Sequence, residues 1–148
     1  IAPHKIFQRG QWKVGVFGVG IELNGLVSPD LYGEVVYHDP VERAQESVNQ
    51  LKSEGCNLIV CLSHLGQSYQ SGKIDDIKLA NRLKDVDIIL GGHTHTFMKE
   101  PIEVIQNNGS KVLVSQAGWA GLILGKIEVK KVNDLTSNSI IGEALRVL

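Results

Sequence analysis

The chain has 148 residues, of which 43% are apolar and 21% charged, with a formal net charge of −1. That length and composition suit one folded domain rather than a disordered or fibrous chain. The near-neutral balance gives no electrostatic ground for a nucleic-acid or anionic-membrane partner, and no apolar run is long enough to cross a bilayer.

The first residues, IAPHKIFQRG, have no apolar centre and do not read as a signal peptide. Trp12 to Ile21, WKVGVFGVGI, is β-rich and punctuated by glycine, and reads as a buried strand running into a loop. NGLVSPDLYG carries Asn-Gly and Ser-Pro turn signals, so Asn24 and Gly25 are expected to shape a turn rather than touch a substrate. HDPVERAQESVNQLKSEG predicts a helix. Asp39 can cap it, Pro40 suits its first position and Glu42 completes a capping box. Val41, Ala44, Val48 and Leu51 then give one apolar face, and Gly55 can end the helix in a left-handed conformation.

NLIVCLSH follows as a strand apolar on both faces, which suits a central parallel strand. Cys56 and Cys61 border and enter it, and are expected to pack as reduced small hydrophobes, because an extended strand holds them too far apart to bond. QSYQSGK is a polar loop. IDDIKLANRLKD predicts a second helix, with Asp75 and Asp76 in the first turn where the helix dipole favours them. VDIILGGH repeats the earlier pattern of an apolar strand ending at histidine, so strand, helix and strand make a βαβ unit with a right-handed crossover. Past Pro101, a turn at Asn108-Gly109 predicts a hairpin. LILGKIEVKKV alternates, which places Lys130 and Lys131 on a solvated face, and a last strand is expected near Ile140 to Val147. Residues 1–148 read as a single α/β unit without repeat or linker.

The chemistry gathers in DIILGGHTHT. In an extended segment, residues two apart point to the same side. His93 and His95 can then converge on one metal, or serve two adjacent ones. Gly91 and Gly92 let the backbone turn sharply and a ligand approach closely. His64 ends the other strand of the βαβ unit, at the edge where open α/β sheets bind ligands. Three imidazoles thus meet at one rim, against the plainer reading of separate surface histidines. His4 and His38 lie in polar contexts and are expected to face solvent. Ser63 is expected to bond backbone rather than act as a nucleophile, Gly66 to permit the turn after His64, and Trp119 to pack in the core.

DPVERAQESVNQLKSEGCNLIVCLSHLG, then GGHTHT with His93 29 positions after His64, then VLVSQAGWAGLILGKIEV, together resemble the 5′-nucleotidase branch of the calcineurin-like metallophosphoesterases. The likeness runs from Val14 to about Val132. It implies a four-layer α/β/β/α sandwich with two metal ions at the strand ends, where metal-held water attacks phosphorus in line. By this resemblance His64 and His93 bind the second metal and His95 the first, with zinc, manganese or iron suited to imidazole. The intact parent is then expected to be an exported enzyme, periplasmic or at the cell surface, that hydrolyses a phosphate ester of a nucleotide or a related small molecule.

One departure qualifies this. The family's Asp-x-His, Gly-Asp and Asn-His-Glu/Asp motifs have no counterpart here, so the chain resembles the C-terminal half of the catalytic domain, without the upstream half or the nucleotide-specificity domain. Three neutral histidines can hold one zinc with an open position. Without a bridging carboxylate they do not screen the repulsion between two cations. The expectation is one metal or none, little or no phosphatase activity from this chain alone, and self-association through the sheet face left uncovered. The alternative is a non-catalytic module, either mononuclear zinc-binding or completing its fold with a partner chain.

Overall fold

The computed structural model describes residues 2–131 and 138–147. Its main sheet has six strands: β1 (His4–Arg9), β2 (Trp12–Val19), β3 (Leu58–Ser63), β4 (Ile88–Leu90), β5 (Ile102–Ile105) and β6 (Lys111–Ser115). They lie in the order β1-β2-β3-β4-β6-β5. The central four run parallel, and β1 and β5 are antiparallel edges. A separate antiparallel pair, β7 (Ile123–Lys131) and β8 (Asn138–Arg146), completes the mixed α/β architecture. β8 is the expected last strand. β1, turned back on β2 through Gly10 in the left-handed region, was not anticipated as a strand of its own.

Among the described residues three helices join these strands. α1 (Pro29–Tyr32) is a single turn inside the segment expected to be loop. α2 (Pro40–Ser53) begins where the cap signals place it: the Asp39 carboxylate accepts the N–H groups of Val41 and Glu42, and Gly55 follows the helix at φ 81°. α3 (Asp76–Arg82) is shorter than the expected Ile74–Asp85 helix. Asp75 is extended and caps it through the Lys78 N–H, and Leu83 is extended at the other end.

Both long helices pack on one face of the main sheet. Ala44, Val48 and Leu51 of α2, Leu79 and Ala80 of α3, and Leu83 just after α3 are fully buried. They meet the strand residues of one parity, including Phe17, Ile59, Cys61, Ile89, Val112 and Val114. Gly15 sits where α2 comes closest, since a Cβ there would lie 2.7 Å from Leu51 Cδ2. Both cysteines are buried free thiols, and burial pushes the Cys61 thiol well above its ordinary pKa. Among the described residues no helix packs on the opposite face. Leu62 is 49% and Leu90 39% exposed there, a degree unusual for mid-sheet leucines. The β7–β8 hairpin stands beside the β6 side of that face, where Leu90 and Ser115 border the same small cavity as Gly125 and Ile127.

Candidate functional site

The parallel strands β3 and β4 end side by side, with Leu62 opposite Leu90. His64 follows β3 directly, its N–H bonded to the Val19 carbonyl of β2 at 2.9 Å. His93 follows β4 by way of Gly91 and Gly92. The two imidazoles come together at 5.2 Å between ring centroids, edge to face. Burial lowers the pKa of His93, and the neighbouring charges of His64, Lys73 and His95 lower it further, so its neutral form is favoured.

His95 stands beside Trp119. Its ring lies nearly parallel to that of Trp119, 6.1 Å away and tilted by 13°. Among the described residues no group of three or more His, Cys, Asp or Glu side chains is arranged to hold a metal ion. The expectation of an extended His-Thr-His segment is corrected here. His93 and His95 have φ of 72° and 52°, in the left-handed region, so the alternation of an extended strand does not govern where their rings point. The role of the two glycines changes as well. Neither has a positive φ. Gly91 is needed because a Cβ would fall on Asp76 Oδ2, while a Cβ on Gly92 would crowd His64 Nδ1 at 3.1 Å.

A polar frame holds the histidine loop. Thr94, between the two histidines, accepts the Gln67 N–H at 2.9 Å and so ties this loop to the one after His64. Gln116, buried at the end of β6, donates to the Gly92 carbonyl at 2.8 Å and accepts from the Thr94 hydroxyl and the Thr96 N–H. Gly66 turns at φ 100° beneath Tyr69, whose hydroxyl donates to the Leu65 carbonyl. Ser63 bonds as expected, accepting the Leu65 N–H, and it also donates to Asp76 Oδ1 at 2.5 Å. Asp76 is fully buried, and its pKa is raised to about 6, chiefly by burial and then by the charge of Asp75, against the opposing Ser63 bond.

Gln116 lies in the segment that carries the resemblance and Asp76 in the first turn of the expected helix, but the sequence gives neither a role at the site. Gln116 ends an apolar strand and Asp76 begins a helix, places where polar residues usually need no explanation. The available signal was the Asp75-Asp76 pair, since one carboxylate suffices to cap a helix. Two further expectations are corrected. Trp119 is 57% exposed rather than in the core, in a turn where Gly118, Ala120 and Gly121 all take positive φ. His4 is not free in solvent: it lies in β1 with 20% of its side chain exposed and its Nε2 3.4 Å from Glu54. His38 is exposed as expected. Lys130 is solvated beside Glu128, while the side chain of Lys131 lies outside the described residues. The most voluminous cavity described, about 520 Å³, is not at the histidines; it lies between α2 and the loop after β2, with Ile21, Tyr32 and Tyr37 in its wall.

No family model matches the chain. Over 143 residues it is 34% identical to a snake venom 5′-nucleotidase of Gloydius brevicauda, an alignment covering 87% of this chain and 23% of the venom enzyme. Its fold matches the crystal structure of a 5′-nucleotidase precursor from Thermus thermophilus with a TM-score of 0.77 and 33% identity, over 97% of this chain and 29% of that one. It also matches the calcineurin-like phosphoesterase YfkN of Bacillus subtilis, with a TM-score of 0.71 and 25% identity, over 97% of this chain and 50% of that one. The chain thus spans about a quarter or less of the length of the first curated relatives it matches.

Proposed function

The chain is a homologue of part of the 5′-nucleotidases and of the calcineurin-like phosphoesterase YfkN, and from that premise we propose that it supplies one half of a metal-dependent phosphoesterase site. The substrate class is a phosphate ester of a nucleotide or a related small molecule, as the relatives' names indicate. The residues of this chain that serve the site are His64 and His93, with His95 nearby as a third ligand once it leaves Trp119.

The observation that carries this reading is the distance between the first two rings. With centroids 5.2 Å apart, the two imidazoles are near enough that their ring nitrogens would hold one divalent ion between them. The lowered pKa of His93 supports this, because it favours the neutral imidazole whose lone pair a metal ion needs. When bound, such an ion supplies charge stabilisation at phosphorus and an acidified water. The chain's own residues orient the two rings through the Thr94 and Gln116 frame and offer a rim open to a small ester. Among the described residues none supplies a bridging carboxylate. The second metal and the hydrolytic step therefore draw on residues outside those described here. The apolar helix-free face, with Leu62 and Leu90 exposed, favours the same conclusion: the chain works with further protein against that face, and self-associates in its absence. The venom relatives support an exported location. No helix among the described residues is long and apolar enough to cross a membrane.

Calorimetric titration with zinc tests the proposal. The chain is expected to bind one equivalent, to lose that binding in His64→Ala and in His93→Ala, and to keep it in His38→Ala. The chain alone is expected to leave nucleoside monophosphates unhydrolysed. Binding that survives both ligand substitutions sinks the metal assignment, and turnover by the chain alone that His93→Ala abolishes sinks the half-site account.

A further inference from the structure

We propose that Asp76 is the positioning residue that sets the spacing of His64 and His93, acting from α3 on the backbone ahead of each. The proposal rests on the reading of those two imidazoles as the functional pair. Asp76 Oδ1 accepts the Ser63 hydroxyl at 2.5 Å, and that same hydroxyl accepts the Leu65 N–H at 3.2 Å. His64 is held between the two residues so joined. The other oxygen, Oδ2, is buried without a hydrogen-bond partner, the one such side-chain atom among the described residues. It occupies the place a side chain on Gly91 would take. Gly91 leads into Gly92, which in turn lies against His64 Nδ1 and the Ser63 carbonyl. The carboxyl group is therefore a spacer between the end of β3 and the end of β4.

Helix capping does not account for it. Asp75 already caps α3 through the Lys78 N–H. A carboxylate serving only the helix dipole is better placed in water than buried with an unpaired oxygen. The shape at Gly91 and the bond to Ser63 do account for it, and both act on the strand ends that carry the histidines. Asp76 touches neither ring, so it acts through Ser63, Gly91 and Gly92.

The test is the nuclear Overhauser cross-peak between the ring protons of His64 and His93 in the metal-free protein, which depends neither on metal nor on activity. The wild type is expected to show it. Asp76→Asn, which keeps the shape and an oxygen for Ser63, is expected to retain it. Asp76→Ala is expected to weaken it several-fold and to shift the His64 ring signals. Leu79→Ala, which opens a hole in the core from the same helix, is expected to destabilise the protein and leave the cross-peak in place. If Asp76→Ala does not fold, Ser63→Ala reports instead, with the His64 signals expected to shift. An undiminished cross-peak in Asp76→Ala, unshifted His64 signals in Ser63→Ala, or equal loss in Leu79→Ala overturns the proposal. A wild type that shows the cross-peak yet binds no zinc overturns the metal reading alone.

Discussion

Asp76 shows how much one burial decision governs at the scale of a residue. Its carboxyl group is raised from 3.8 to about 6 by loss of solvent. Between those values the folded chain holds a proton that the unfolded chain has released. Its contribution to stability is therefore full below the ordinary carboxylate pKa, falls as pH rises through about 6, and is flat above. Two pKa units correspond to about 3 kcal/mol at most. Asp87 is also raised by burial, and His93 is shifted so as to act in the opposite sense, so the wild-type slope is a sum. The difference between wild type and Asp76→Asn isolates the one group. Urea unfolding at about pH 4 and about pH 7.5 is expected to show Asp76→Asn losing less stability than wild type across that interval. Equal losses would show that Asp76 keeps an ordinary pKa. That a carboxylate at the start of a helix would be buried was not legible in IDDIKLANRLKD, because sequence spacing shows which residues share a turn and not what lies across from that turn.

The elements themselves follow local chemistry closely. α2 starts at Pro40 because Asp39 satisfies two of the amide groups that the first turn leaves free, at 2.8 and 3.2 Å. Asp39→Ala is expected to cost about 1 kcal/mol, read as a lower urea midpoint with an unchanged slope. The apolar spacing of α2 matches its buried face, and LIVCLS is the central parallel strand expected, although Leu62 on its second face is 49% exposed. α3 was read too long. Asp75 turns away from helical geometry to accept the N–H groups of Tyr69 and Lys78, so the chain is not helical before Asp76. β1 escaped notice because its residues gain strand character from pairing with β2, an edge contact that alternation along one segment does not reveal.

For the molecule as a whole, the asymmetry of the main sheet has the largest consequence. One face is sealed by two helices, while the other leaves Leu62 and Leu90 in water. Apolar surface of this kind drives association when nothing covers it. Sedimentation of the isolated chain is expected to show mass rising with concentration, and Leu62→Lys with Leu90→Lys is expected to return it to a monomer. A monomer at all concentrations would argue that the face is covered from within the chain.

The sequence by itself determined the parallel sheet, the capped helix, the hairpin and the presence of histidines at two strand ends, because periodicity, caps and turn residues act over a few neighbouring positions. Tertiary structure alone decided which imidazoles meet. His93 faces His64 and His95 faces Trp119 because the left-handed φ values of the loop are held by Thr94, Thr96 and Gln116, contacts between segments distant in the chain. The direction of a ring depends on those distant partners, and no local pattern in the chain specifies them.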